Sequence, residues 1–204
     1  MRLIGMLDSP YVRRVAISLK MLELPFSHEP LSVFSTFDAF AEINSVVKAP
    51  SLVTDQAVVL MDSSLILEHA ERLATPALSL SPVDVQTHAR AQRIISLALA
   101  ACEKTVQIVY EYNLRPSEKQ HQPWLDRVHS QLAAAYRMLE LEVKDVDAWI
   151  FGDRPLQADI TSAVAFRFTR EMLSDAVAAV THPALAALSA RAEATEAFSA
   201  FPFN

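Results

Sequence analysis

Short apolar runs recur in the first part of the chain with the length and spacing of strands in a small sheet. They cover residues 2–6, 51–54 and 58–61, and short apolar runs bounded by turn residues are typical of β-strands. Residues 27–31, with Phe26 and Pro30 at their limits, are expected to form a further strand. The last two runs flank a short turn at residues 55–56. Two adjacent runs joined in this way predict an antiparallel hairpin.

Two segments with helical spacing lie between and after these strands. The first begins at Pro10, because proline suits the first helical position, and it ends at Pro25. The second follows Asp62-Ser63, a pair that can cap a helix. Residues 33–46 are expected to be irregular or weakly helical. The order β-α-β followed by β-β-α is typical of a thioredoxin-like domain. The apolar positions of the two helices are Val12, Val15, Ala16, Leu19 and Leu22, then Ile66, Ala70 and Leu73.

The rest of the chain changes to a helical pattern after a segment rich in proline and serine. We therefore predict an α/β thioredoxin-like domain over residues 1–75, a linker over 76–83 and an all-helical domain over 84–204. The predicted helices of the second domain run from 83 to 113, onwards from about 123, from 156 to 172, and on either side of His182-Pro183.

Composition excludes several classes of function. The chain has 204 residues, with a formal charge of −6 and no basic cluster longer than Arg13-Arg14, so nucleic acid is not an expected partner. The two glycines, Gly5 and Gly152, are too far apart in the sequence for a dinucleotide loop, a phosphate loop or a nucleophile elbow, each of which needs glycines close together. The six histidines show no paired spacing, so we expect no metal.

The single cysteine and the apolar runs bear on the compartment. Cys102 has no partner for an internal disulfide or a CxxC pair, which fits a reducing compartment, and it is expected to be a buried apolar residue. The apolar run at the N-terminus is too short for a signal peptide. The stretch 94–102 is much shorter than the ~18 residues of a membrane span. We expect a soluble, cytoplasmic protein with no membrane partner.

Four segments, in order and at the appropriate separations, resemble the cytosolic glutathione transferase family. They are DSPYVRRV at 8–15, NSVVKAP at 44–50, MDSSLIL at 61–67 and FGDRPLQAD at 151–159. The first is most similar to members with serine or cysteine, rather than tyrosine, at the active position, and here that residue is Ser9. The chain departs from the family pattern twice. Val47 replaces a glycine, and Leu156 replaces the serine or threonine of a capping box, so only the Asp159 half of that box can form.

The resemblance implies a role for each residue that could bind glutathione as the co-substrate. Ser9 would stabilise the thiolate, with Tyr11 as the alternative hydroxyl donor. A cis Pro50 would present the Ala49 backbone to the cysteinyl residue, in the manner of an added strand. Lys48 would lie near the glycyl carboxylate. Asp62 would face the γ-glutamyl ammonium, and Ser63 would hold the γ-glutamyl carboxylate.

Plain structural roles explain the same residues when each is taken alone. Ser9 and Asp62-Ser63 are ordinary helix caps, Pro50 is an ordinary first residue of a strand, and Lys48 is an ordinary solvated side chain.

For the second substrate, the resemblance implies a pocket between the domains. The candidate residues of this pocket are Tyr11, Phe34, Val106, Tyr110 and Asn113.

The leading function is therefore conjugation of the glutathione thiolate to small hydrophobic electrophiles, as in detoxification. Isomerisation or peroxide reduction with the same thiolate is an open alternative. A non-catalytic binding or regulatory protein of the same fold, similar to the stringent starvation proteins, is another. The family resemblance also implies a homodimer.

Overall fold

The computed structural model describes residues 1–174, 176 and 181–203. Contacts divide the chain into one unit of residues 1–80 with 194–204, and a second unit of residues 81–193. The sequence pattern had assigned residues 194–204 to the helical domain. In the structure this segment belongs by its contacts to the first unit.

The first unit contains a four-stranded mixed sheet and three helices in its N-terminal part. The sheet order is β2-β1-β3-β4, with β1 parallel to β2 and antiparallel to β3, and β3 antiparallel to β4. This arrangement confirms the predicted thioredoxin-like fold class and the predicted hairpin. The elements are β1 (Arg2–Ile4), α1 (Pro10–Met21), β2 (Ser27–Glu29), α2 (Phe37–Ile43), β3 (Ser51–Val53), β4 (Val59–Met61) and α3 (Ser63–Leu73), followed by a 3-10 turn at Pro76–Leu78.

The named elements of the second unit are all helical among the residues that the structure describes. Its helices are α4 (Val85–Leu114), α5 (Gln122–Val143), α6 (Gln157–Met172) and α7 (Pro183–Glu193), with a 3-10 turn at Ser117–Lys119. The short helix that we predicted before His182 falls largely outside the described residues. No helix in the described part of the chain is long and apolar enough to cross a membrane.

Buried hydroxyl groups connect three helices of the second unit. The Tyr136 hydroxyl donates to the Ala165 carbonyl at 2.9 Å and lies 2.6 Å from the Thr169 hydroxyl, which in turn lies 2.8 Å from that of Thr105. Burial raises the pKa of Tyr136 well above its usual value. Cys102 is buried on α4, as expected from the sequence.

The start of α6 shows the half of the capping box that the sequence allows. Asp159 accepts hydrogen bonds from the N–H groups of Leu156 and Ile150, both at 2.9 Å. Leucine has no acceptor atom with which to complete the box. The bond from Ile150 gives the buried carboxylate a second donor, and it ties the loop before α6 to the helix.

The C-terminal segment packs against α1 within the first unit. It contains α8 (Glu196–Ser199). The buried Arg13 guanidinium lies over the Phe198 ring at 5.5 Å and donates to the Phe201 carbonyl at 2.8 Å. The Phe201 ring also lies 5.7 Å from that of Phe26. Sequence pattern alone did not indicate this packing, because it depends on contacts about 190 residues apart in the chain.

Candidate functional site

Ser9 caps the N-terminus of α1. Its hydroxyl accepts a hydrogen bond from the Val12 N–H at 3.4 Å, and its own N–H donates to the Met6 carbonyl at 3.2 Å. The residue is half-buried. An oxygen that accepts from the helix can still donate its own proton elsewhere. An anion held by that proton would also lie at the positive end of the helix dipole.

Gly5 brings the start of α1 close to the segment before β3. A Cβ atom on Gly5 would lie 2.5 Å from Val12 Cγ2 and 3.2 Å from Ala49 Cβ, and its φ of 137° is one that side chains rarely adopt. The Gly5 carbonyl also lies 2.8 Å from Nε2 of His28. The absence of a side chain here therefore lets Ala49 approach the helix that Ser9 caps.

The segment Lys48-Ala49-Pro50 has the backbone form that the family resemblance implies. The Ala49–Pro50 peptide bond is cis, Pro50 is buried and Ala49 is half-buried. Across residues 1–174, 176 and 181–203, the Ala49 N–H and C=O groups form no backbone hydrogen bond. They are available to pair with an extended ligand backbone.

Asn44 holds the turn that leads into this segment. Its carbonyl accepts from the Val47 N–H at 2.8 Å and its side-chain oxygen accepts from the Val46 N–H at 3.1 Å. Its amide donates to the Ser51 hydroxyl at 2.9 Å, and that hydroxyl donates to the Lys48 carbonyl at 2.9 Å. Val47 has a φ of 51°. A positive φ of this kind is one that glycine adopts readily and a β-branched residue rarely does.

Asp62 and Ser63 form the start of α3, where the sequence predicted a cap. Asp62 has a φ of 72°, and its Oδ1 accepts from the Ser64 N–H at 2.9 Å. Its other oxygen, Oδ2, lies 4.0 Å from Nζ of Lys48. Both side chains of this pair are about half exposed. A loose pair of opposite charges therefore lies beside a helix N-terminus, accessible to a ligand.

Arg14 is a residue of this region that the sequence interpretation missed. It lies on α1 and is only 2% exposed. Its Nη1 donates to the hydroxyls of Ser63 at 3.1 Å and Ser64 at 3.3 Å. In the sequence, Arg13-Arg14 stands out only as a short basic pair. The hydrophobic periodicity of α1 does not mark Arg14 as buried. Every residue from 12 to 19 is buried, including those that lie outside the apolar stripe.

Asp8 places a carboxyl group directly before Ser9. Desolvation raises the pKa of this carboxyl, and hydrogen bonds from the backbone N–H groups of Ser9 and Asp8 oppose the shift. A raised pKa reduces the negative charge that Asp8 carries in mildly acidic solution. The motif 8–15 contained this residue, but the sequence assigned it no role.

The residues proposed for a second substrate lie in different elements. Tyr11 is half-buried in α1, and Phe34 is exposed between β2 and α2. On α4, Val106 is half-buried, whereas Tyr110 and Asn113 are exposed. Their role as a pocket stays a prediction. Among the described residues, no group of three or more His, Cys, Asp or Glu side chains could hold a metal ion.

Sequence comparison finds similarity to known proteins in the N-terminal part of the first unit. The family profile described as "Glutathione S-transferase, N-terminal domain" matches residues 3–77. A curated relative, the GST-like protein YibF of Escherichia coli K12, is 28% identical over 140 residues. The match covers 69% of this chain and 68% of that protein, which is described as uncharacterized.

Solved structures extend the similarity to the whole chain. A glutathione S-transferase from Methylobacterium radiotolerans, in complex with glutathione sulfonate, has a TM-score of 0.90 and 28% identity. The match covers 100% of this chain and 95% of that one. A family member from Pseudomonas fluorescens Pf-5 with bound glutathione has a TM-score of 0.84 and 26% identity, covering 98% and 97% of the two chains. Residues 3–77 therefore match the N-terminal domain of glutathione S-transferases, and the whole chain is similar in fold and sequence to solved members of that family.

Proposed function

We propose that the protein is a glutathione transferase that adds the glutathione thiolate to small hydrophobic electrophiles. The observation that carries the proposal is the grouping of Lys48, Asp62 and Ser63 beside the N-terminus of α3, next to the open backbone of Ala49. Glutathione has two carboxylates, one ammonium and a peptide backbone, and this grouping offers a complementary partner to each. The complexes of relatives with glutathione and glutathione sulfonate support the same ligand class.

Each residue of the grouping takes one part of the tripeptide. Ser63 and the N-terminus of α3 receive the γ-glutamyl carboxylate, since such helix ends favour anions. Asp62 faces the γ-glutamyl ammonium. Ala49, which precedes the cis peptide bond to Pro50, pairs with the cysteinyl backbone. Lys48 neutralises the glycyl carboxylate. Because Lys48 and Asp62 are only 4.0 Å apart in the structure, the ligand charges would compete with this weak pair.

Ser9 acts on the thiol. A free thiol has a pKa of about 8.5, so only a few per cent is ionised at neutral pH. A hydrogen bond from the Ser9 hydroxyl to the sulfur, together with the dipole of α1, favours the thiolate. With an aryl chloride as substrate, the thiolate forms a carbon–sulfur bond, chloride leaves with its bonding electrons, and the thiol proton passes to solvent. Tyr11 is the alternative donor, and the same thiolate could serve isomerisation or peroxide reduction.

We also propose that two copies of the chain associate through the face formed by β4 and the start of α3. The strand β4 is the last in the order of the sheet. Exposed apolar side chains lie on and next to it, and exposed apolar groups of this kind are typical of association surfaces. The exposed side chains of this face are Val58, Val59, Met61 and Leu65.

We further propose a cytoplasmic location, because the thiol chemistry needs a reducing compartment.

The proposal is tested by measuring turnover of glutathione with an activated aryl chloride by wild type, Ser9→Ala and Ser9→Thr. We expect turnover by wild type, a loss of about tenfold or more in Ser9→Ala and partial retention in Ser9→Thr, which keeps the hydroxyl. Ser130→Ala, at an exposed serine of α5, is the matched control and should match wild type. Tight glutathione binding without turnover on any electrophile would contradict the transferase and favour a non-catalytic binding protein.

A further inference from the structure

Arg14 connects α1 to the proposed carboxylate site through hydrogen bonds to the start of α3. The guanidinium is 2% exposed and Ser63 is 4% exposed, so the bond between them is shielded from water. The same Nη1 atom also reaches the hydroxyl of the exposed Ser64. One cation therefore contacts two consecutive hydroxyls in the first turn of α3.

This contact determines where the two hydroxyl protons can point. A hydroxyl has one proton to donate and two lone pairs to accept with. Because Arg14 occupies an acceptor position on each oxygen, neither proton can be directed at the guanidinium. Each proton must therefore be donated to an acceptor other than Arg14. A bond from a cation to an oxygen also polarises its O–H group and makes it a stronger donor.

We propose that Arg14 is a positioning residue for an amino-acid carboxylate at the start of α3. It orients and polarises the Ser63 and Ser64 hydroxyls, so that the pair is arranged as donors before the ligand arrives. This inference rests on the proposed function, with the γ-glutamyl carboxylate of glutathione as the ligand group. It adds Ser64 as a second hydroxyl donor to that group.

The test uses two ligands that differ only in this carboxylate. One is glutathione, and the other is γ-aminobutyryl-cysteinyl-glycine, which lacks the γ-glutamyl carboxylate. Isothermal titration of both ligands into wild type, Arg14→Met, Arg14→Lys and Ser64→Ala measures how much each variant loses for each ligand. Arg14→Met removes the donors but keeps much of the apolar stem, whereas Arg14→Lys keeps a charge that can reach one hydroxyl.

We expect Arg14→Met to weaken glutathione binding by about tenfold and Ser64→Ala by about threefold, with Arg14→Lys between wild type and Arg14→Met. Binding of the analogue should change by less than about twofold in all three. Equal losses for both ligands, or no loss for either, would overturn the role of Arg14. If Arg14→Met fails to fold, Arg14→Lys and the exposed Ser64→Ala decide by the same comparison. Wild type that binds neither ligand would instead refute the proposed function.

Discussion

Val47 adopts a backbone conformation that suits glycine, and the stability of variants at this position tests that interpretation. Its φ is 51°, in a turn closed by the bond from its N–H to the Asn44 carbonyl. For an L-residue the left-handed conformation costs roughly 1–2 kcal/mol relative to the right-handed one. Bulky and β-branched residues are rare there. Substitution by glycine should remove this cost.

A comparison of glycine with alanine separates the backbone effect from the loss of the side chain. Both Val47→Gly and Val47→Ala remove the γ-methyl groups, but only alanine keeps a Cβ in the left-handed conformation. Glycine is usually the less stable of the two by roughly 0.5–1 kcal/mol, because it loses more backbone entropy on folding. At position 47 the relief of about 1–2 kcal/mol exceeds that loss. We therefore expect Val47→Gly to be more stable than Val47→Ala.

Val46 provides the matched control in the same turn. It is 61% exposed and is not among the described residues with positive φ. Here Val46→Ala should be more stable than Val46→Gly by roughly 0.5–1 kcal/mol. The difference between the two comparisons equals the left-handed cost of about 1–2 kcal/mol, which corresponds to about 2–8 °C in melting temperature for a chain of this size.

Thermal unfolding of the four variants, followed by circular dichroism, measures both differences. The account predicts opposite signs at the two positions. If the alanine variant were more stable than the glycine variant at both positions, the backbone of Val47 would not be strained. The valine in place of the family's glycine would then carry no cost in stability. Glutathione titration of Val47→Gly should give wild-type affinity, since the turn already has the conformation that glycine allows.

Two further predictions concern packing and pH. Gly5→Ala should destabilise the first unit by about 1–3 kcal/mol, because the new Cβ overlaps Val12 Cγ2 at 2.5 Å, and urea unfolding measures this loss. A wild-type midpoint would contradict the close approach of Val12 to Gly5. Burial raises the pKa of Asp159, so the folded state holds this proton more tightly than the unfolded chain does. The contribution of Asp159 to the free energy of unfolding should fall as the pH rises from the pKa of the unfolded chain, about 3.9, through the raised pKa of the folded state. Asp159→Asn should lack that fall in urea titrations between pH 4 and 7, and an identical pH dependence in both proteins would refute it.

Local patterns in the sequence were enough to predict most elements of the fold. The cap at Ser9, the turn before β4 and the cap at Asp62 are local features, and each starts or ends an element where predicted. Periodicity could not identify contacts between distant segments. The packing of Phe198 and Phe201 on Arg13 belongs to this second kind, because no local property of residues 194–204 distinguishes it from further helix of the second unit.

The candidate site was predictable where the family resemblance implied a role for a residue, and it was missed where a residue of a motif was given no role. The Ala49–Pro50 segment and Asp62-Ser63 were found because the family resemblance places them at matching positions. Arg14 was missed, since a buried arginine contradicts the usual expectation for a charged side chain. Its partners Ser63 and Ser64 lie about 50 residues away in the chain.

Isothermal titration of glutathione into wild type and Asp62→Asn tests the central claim most directly. Asparagine keeps an oxygen to accept from the Ser64 N–H and tolerates a positive φ, so the start of α3 should be preserved while the charge is lost. The account predicts wild-type binding in the micromolar to low-millimolar range and at least about tenfold weaker binding by Asp62→Asn, with a similar melting temperature. Equal affinities would contradict the role of Asp62, and no detectable binding by folded wild type would contradict the glutathione site itself.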